Sequence, residues 1–264
     1  MAIEKLRLKP GYRFLRAKLV PILGCFLLSA SFNASAMEKR CAKAASVAGD
    51  VKSLPNLHTK IAEGGSIKVV AFGSSSTEGT GHLPKSEIFA SVFGRELSKE
   101  LLTPVEVINK GKGGDTIPKM VARMERDVLA QKPDLVVWQL GVNDVLQMEG
   151  VEGAISQMKA AIDTLRAHGL PVVLVDLQVA PMVDRDKDTP VMQAAIEKEG
   201  ARPGVLHFHR QALMRRMIET GDSTMDDLVL KDGLHMSQLG HLCTGQALAQ
   251  QVAKASLETR VSRR

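Results

Sequence analysis

The feature that most constrains the fold of this chain is a repeated pattern: short apolar runs closed by glycine or polar turns, each followed by a segment with helical spacing. The runs Ile67–Phe72, Val105–Ile108, Leu135–Leu140, Val172–Leu177 and Val205–Phe208 read as strands, and Leu135–Leu140 is apolar enough throughout to be central. The spacing predicts helices over Glu87–Leu101, with Ile88, Val92, Phe93, Leu97 and Leu101 on the apolar side, and over Ile117–Ala130. Further helices are expected over Val151–Ala167, with Gly169 as its cap, and over Thr189–Glu199, Gln211–Thr220 and Ser237–Leu257. Strand–helix alternation with right-handed crossovers predicts an α/β chain with a three-layer α/β/α, flavodoxin-like fold and a central, mostly parallel five-stranded sheet. Such sheets bind ligands at the carboxyl ends of their strands, so the turns that leave the strands are the places to look for chemistry.

Residues 1–36 fall outside this pattern. A basic start (Lys5, Arg7, Lys9, Arg13, Arg16, Lys18) leads into the apolar run Leu19–Phe32, which ends at Ala34-Ser35-Ala36. That order is expected of a secretory signal cut after Ala36. Two alternatives are a lipoprotein cut before Cys25 and a membrane anchor, but the run is short for a bilayer span. Residues 37–64 read as a polar, loosely structured arm with some helix, and residues 65–264 as the folded domain. The full chain carries +6 at neutral pH, and the leader holds six basic residues and one acidic one, leaving about +1 after cleavage. Such a balance gives no support to a nucleic-acid partner. Cleavage would also leave no stable membrane span, and an exported location, periplasmic or secreted, is the expectation. Of the three cysteines, Cys41 and Cys243 would remain, and an exported protein can keep a disulfide between them. The other reading is two separate buried thiols.

Three turns after strands are unusual: Gly73-Ser74-Ser75-Ser76-Thr77-Glu78-Gly79, Asn109-Lys110-Gly111-Lys112-Gly113-Gly114-Asp115, and Gly141-Val142-Asn143-Asp144. Near the C-terminus, Asp232-Gly233-Leu234-His235 precedes the last helix. Acyl transfer to a serine needs a base beside the hydroxyl, a carboxylate to fix that base's tautomer, and donors aimed at the developing oxyanion. These turns bring all the parts to one sheet edge. A serine follows a strand and opens a helix, a glycine turn can present an N–H at close range, an asparagine adds a side-chain donor, and a histidine stands three residues after an aspartate.

Taken together, the four segments resemble the blocks of the SGNH/GDSL hydrolases. Gly73–Thr77 matches the first block, with Ser74 in place of the family's aspartate and Ser76 in place of an apolar residue. Gly141-Val142-Asn143-Asp144 matches the third block without departure, and Asp232–His235 the last. The resemblance covers residues 67–250 and implies esterase chemistry without metal or cofactor. It assigns Ser75 as nucleophile, His235 as base and Asp232 as its partner. Ser75, Gly114 and Asn143 become the oxyanion donors, with Gly113 a rival to Gly114 by one position. Asp144 is expected to hold its turn together, Trp138 to lie in the core, and His207, His209 and His241 to be structural. His82, in the loop after Ser75, could touch substrate. Gln178–Thr189 could wall the pocket.

The leading reading is therefore an esterase acting on small-molecule or polymer-borne esters, with an O-acetyltransferase or a deacetylase of envelope carbohydrate as variants. Beyond Tyr12 the chain has no tyrosine, and it has a single tryptophan, which argues against a long aromatic-lined sugar groove. A non-catalytic binding protein would be expected to lack one of these residues, and a flavoprotein would need aromatics that are scarce here.

Overall fold

The structure is a computed structural model that describes residues 37, 39–41, 53–147 and 149–258. Residues 1–36, expected from the sequence to be a secretory signal, lie outside the described residues. Among those described, no helix is long and apolar enough to cross a membrane.

The chain enters the fold through α1 (Pro55–Ala62) and then builds β1 (Ile67–Gly73), α2 (Ser75–Glu78), α3 (Phe89–Leu101) and β2 (Val105–Gly111). It continues with α4 (Ile117–Asp127), β3 (Leu135–Gln139), α5 (Val142–Gln147), α6 (Glu152–Ala167), β4 (Val172–Val175), α7 (Pro181–Asp184), α8 (Thr189–Gly200) and β5 (Val205–Phe208). The last elements are α9 (Arg210–Glu219), α10 (Met225–Leu228) and α11 (Gln238–Leu257). The five strands form one sheet in the order β2-β1-β3-β4-β5, and every pairing is parallel. The expected three-layer fold is thus present.

Strand composition explains the layering. β1, β3, β4 and β5 are buried almost throughout, which suits strands covered on both faces. β2 is half-buried, as an edge strand can be. The chain moves from β1 outward to β2 and then back past β1 to β3, so the winding reverses at β1. Right-handed crossovers then send α3 to one face and α4, α6 and α8 to the other. Helix α11 returns to the first face and packs on α3 so closely that a Cβ at Gly245 would lie 2.6 Å from Val92 Cβ.

Several boundaries differ from the sequence reading. β2 runs on through Asn109–Gly111, residues expected in a glycine-rich turn, because Gly73 of β1 still pairs with Gly111. The neighbouring strand supplies main-chain partners that local sequence does not reveal. β3 and β4 stop earlier, at Gln139 and Val175, where the chain turns toward the site. Helix α4 ends at Asp127, followed by a short 3-10 turn over Leu129–Gln131. The helix opened by Ser75 is the short α2, and the short helices α5, α7 and α10 are additions to the sequence reading.

Within the arm, Arg40 and Cys41 touch the body. Arg40 donates to the Asp222 carbonyl (2.7 Å) and pairs with Asp227 Oδ2 (2.7 Å). Cys41 is bonded to Cys243 of α11, with their Cα atoms 4.8 Å apart. This link closes a loop of 202 residues in sequence. The chain-entropy argument for so long a loop gives up to about 5 kcal/mol, and removal of a native bond typically costs about 2–5 kcal/mol. Replacing both cysteines by serine is therefore expected to lower the thermal midpoint by about 5–15 °C. Calorimetry with and without reductant checks this: reductant should lower the wild-type midpoint toward that of the variant and leave the variant unmoved.

Candidate active site

The three unusual turns and the Asp232–His235 loop meet at the carboxyl ends of β1, β2 and β3, where the winding reverses. Ser75 opens α2, directly after β1. Its Oγ lies 3.2 Å from His235 Nε2, and His235 Nδ1 lies 2.7 Å from Asp232 Oδ2. With Nδ1–H donating to the carboxylate, Nε2 is left as the acceptor that faces the serine hydroxyl. Asp232 is fixed from its other oxygen, since Oδ1 accepts the N–H groups of Leu234 and His235, both at 2.9 Å. Burial alone would raise the Asp232 carboxyl, but the His235 ring and these two N–H groups hold it below the ordinary carboxylate value. The loop closes on itself through Leu230 N–H to the His235 carbonyl (2.8 Å) and is clamped from the β4 side. There Gln178 Nε2 donates to the Leu234 carbonyl (3.0 Å), and Met182 N–H to that of Gly233 (3.2 Å).

The turn after β1 is held by a residue the sequence reading missed. Gln139, the last residue of β3, is fully buried, and its Oε1 accepts from Ser74 N–H (3.0 Å), Ser74 Oγ (3.0 Å) and Thr77 Oγ1 (3.2 Å). Ser74, standing where the family pattern has an aspartate, thus pins the turn through a neutral hydrogen bond. The available signal was a lone polar residue closing an apolar strand. Gly111 is required at the end of β2, because a Cβ there would collide with the main chain of Thr77 and Glu78.

The glycine turn separates the two candidate donors. Gly113 N–H donates to Glu78 Oε2 (2.6 Å) and is therefore engaged. Gly114 has φ of 76°, a conformation glycine adopts freely. Among the described residues neither the Gly114 N–H nor the Ser75 N–H has a hydrogen-bond partner. Asn143 is buried, and its Nδ2 donates to the Asp115 carbonyl (2.9 Å), which sets the amide's orientation and leaves its second N–H to donate elsewhere.

Asp144 braces the third turn. It is fully buried, and its Oδ1 accepts from Ile117 N–H (2.8 Å), joining α5 to the start of α4. The same carboxyl takes the N–H groups of Asp144 and Gly141, while its Oδ2 has no partner. Burial pushes this carboxyl up to about 6, with the three N–H groups opposing. His241 is also buried. Burial, with Arg210, His82 and His235 adding to it, lowers its imidazole to about 3, and Nδ1 accepts the Phe89 N–H (3.2 Å). It is neutral and structural. Trp138 is fully buried in β3 and offers no face to a ligand.

Asp176, His207 and His209, at the ends of β4 and β5, bring ligand-type atoms within 4.8 Å of one another. The carboxylate there is engaged by His207 Nε2 (3.1 Å), Gln193 Nε2 and Gln211 N–H (3.0 Å). Beside it lies the fully buried guanidinium of Arg210, which burial lowers to about 10 with Asp176 opposing, and which donates to the Asp176 carbonyl. A divalent ion would face that buried positive charge, so the group is better suited to lock β4, β5 and α9 together than to hold a metal.

A parallel sheet with a serine, a histidine and an aspartate in hydrogen-bonded line at its winding reversal defines a class, that of SGNH/GDSL-like ester-hydrolysing enzymes. Over residues 40–258 the chain matches the family model of the non-GDSL lipase-like family, and it belongs to that family. It is 24% identical over 161 residues to an acetylxylan esterase from Geobacillus stearothermophilus, covering 56% of this chain and 72% of that protein. The solved structure of that type from the same organism, Axe2, aligns with a TM-score of 0.61 at 20% identity, covering 72% of this chain and 95% of the other. A two-domain esterase active on acetylated mannans aligns with a TM-score of 0.65 at 18% identity, covering 78% of this chain and 53% of that one. A lipase/acylhydrolase from Enterococcus faecalis gives a TM-score of 0.59 at 24% identity, covering 71% and 95% of the two chains. At these identities the structural likenesses speak for the fold.

The buried Asp144 makes stability depend on pH in a definite direction. A carboxyl raised above its unfolded value favours the folded state while protonated. That contribution is full below the unfolded value of 3.8 and is lost as pH rises through about 6. The difference corresponds to about 3 kcal/mol. Asp127 and Asp232, held low, act in the opposite sense, so the comparison must be with Asp144→Asn. Urea unfolding at pH 4 and pH 7 should show wild type losing about 2 kcal/mol relative to that variant over the interval. An unchanged difference would contradict the burial argument.

Proposed function

We propose that this chain is an exported serine esterase that cleaves short carboxylic esters through Ser75, His235 and Asp232. The observation that carries the reading is the continuous line from Ser75 Oγ through His235 to Asp232, beside two N–H groups without partners. In this mechanism Ser75 Oγ attacks the carbonyl carbon as His235 Nε2 takes its proton. Asp232 steadies the imidazolium, and the N–H groups of Ser75 and Gly114 with Asn143 Nδ2 hold the oxyanion. Collapse breaks the bond to the alcohol oxygen, which leaves with the proton from His235. Water then gives a proton to His235 as it attacks the Ser75 ester, and collapse breaks the bond to Ser75 Oγ, which takes that proton back from His235 as the acid leaves. The helix dipole of so short a segment as α2 adds little; the unpaired N–H groups matter more.

An acetyl group on a carbohydrate is the substrate reading favoured by the relatives, two of which are named for acetylated xylan and mannan. The site is open: the side chains of Asp232 and His235 are 46% and 27% exposed, which suits an ester presented from a larger molecule. Export rests on the leader-like residues 1–36 and on the Cys41–Cys243 bond, which persists in oxidising compartments.

The test is hydrolysis of p-nitrophenyl acetate, butyrate and octanoate, and of acetylated xylan, by wild type, Ser75→Ala and His235→Ala. Each variant is expected to lose about four orders of magnitude or more in kcat while keeping its fold. Acetate should be the best of the three nitrophenyl esters. Retention of wild-type turnover by folded Ser75→Ala would overturn the reading.

A further inference from the structure

Ser75, Gly114 and Asn143 come from three separate turns, and an oxyanion site works only if such donors are fixed before the reaction begins. One side chain reaches the first two of these turns directly and the third through Asp115. Arg123, on α4, has a side chain only 9% exposed beneath them. Its Nη2 donates to the carbonyl of Gly73 (3.0 Å), two residues before Ser75. Its Nη1 donates to the carbonyl of Lys110 (2.8 Å), where β2 leads into the glycine turn, and to Asp127 Oδ2 (3.0 Å). Its Nε donates to Asp115 Oδ2 (2.8 Å). Asp115 follows Gly114, and its carbonyl is the acceptor that orients Asn143 Nδ2. The guanidinium carbon sits 4.4 Å from the centroid of the Phe72 ring in β1, which holds the group from its face as well as its edges.

We propose that Arg123 is the positioning residue of the oxyanion site, tying the turns that carry Ser75, Gly114 and Asn143 into one rigid unit. The inference rests on the serine-esterase reading. A planar fork with five N–H groups can meet acceptors in three directions at once, and the flexible ammonium of lysine cannot reproduce that plane. Helix pinning alone would need only the contacts to Asp127 and Asp115. The bonds to the carbonyls of Gly73, two residues before Ser75, and of Lys110, four residues before Gly114, are what a positioning role adds. Arg123 lies beneath the turns and is not placed to touch substrate. Its loss should therefore weaken what is held only in the transition state, lowering kcat while leaving KM.

The test uses the full chain and four forms besides wild type: Ser75→Ala, Arg123→Lys, Asn143→Ala and Arg123→Lys/Asn143→Ala. Two rates are measured: p-nitrophenyl acetate hydrolysis per labelled site, and covalent labelling of Ser75 by an aryl fluorophosphonate, whose phosphoryl oxygen occupies the oxyanion position. Arg123→Lys is expected to lower both rates by about 10- to 100-fold, as small displacements of reacting groups do, with KM unchanged. In the Asn143→Ala background the same change should cost far less, because both residues act on one set of donors. The proposal is overturned if the activity of Arg123→Lys falls only with the fraction of protein that can be labelled, if KM rises while kcat holds, or if the two losses multiply in full. Labelling and turnover that persist in Ser75→Ala would sink the esterase reading itself, a result distinct from these three. Should the nitrophenyl ester prove a poor substrate, the labelling rates alone decide the matter.

Discussion

Strand β1, paired in parallel on both sides, is the element on which the rest depends. It matches β2 from Ile67↔Val105 to Gly73↔Gly111, and β3 from Val69↔Leu135 to Phe72↔Trp138. Because the order of strands reverses there, the helices on its two sides go to opposite faces and leave a crevice at its carboxyl end. The turn leaving β1 is therefore supported from both neighbours. Gln139 of β3 holds Ser74 and Thr77, and Asn109 of β2 donates to the Thr77 carbonyl (2.6 Å). A slip of one residue in either pairing would exchange the side chains that face the two helical layers and carry both supports away from the turn.

That dependence accounts for an unusual density of buried polar groups at this end of the sheet. Gln139, Asp144, Asn143, Asp115 and Thr77 are all buried there. Each spends its side chain or its carbonyl on a neighbouring turn, so that the desolvation penalty is offset by hydrogen bonds. The exceptions are informative. Gln139 Nε2 and Asp144 Oδ2 have no partner, and the raised carboxyl of Asp144 is the consequence of such burial. Polar groups fixed in low dielectric orient more firmly than they would in water, and orientation is what an oxyanion site requires.

The layout of the sheet was legible in the sequence because β1, β3, β4 and β5 are buried on both faces and so read as apolar runs. The strand limits were less so. Asn109–Gly111 carries turn-type residues yet continues β2, since its conformation is dictated by pairing to β1 across more than thirty positions of chain. Among the candidate site residues, Ser75, Gly114, Asn143, Asp232 and His235 could be proposed from sequence because each sits in a turn after a strand or before the last helix, and because the four segments resemble one family's blocks. The sequence already favours Gly114 over Gly113 through the resemblance, and the bond from Gly113 N–H to Glu78 adds a physical reason for that preference. Arg123 left no such trace. An arginine on a charged amphipathic helix looks solvated, and only the tertiary fold shows that this one is buried and bonded to the turns after β1 and β2.

The two halves of the proposed machinery are held by different means, and this has a mechanical consequence. Nucleophile and oxyanion donors belong to one rigid block of β1, β2, β3 and α4, locked by short polar contacts. The base belongs to a loop between α10 and α11, attached to that block by the His235–Ser75 contact itself and clamped by Gln178 and Met182 from beyond β4. Its position is therefore set largely by where α11 lies. That helix is secured along its length: Ser237 caps it by accepting the Gly240 N–H, Gly245 lets it settle on α3, and Cys243 bonds it to Cys41. The capping serine is only two residues past His235, so the same contacts that seat the helix also fix the approach of the imidazole to Ser75. A bond between the N-terminal arm and α11 would then contribute to geometry at the site as well as to stability, although neither cysteine lies near the chemistry.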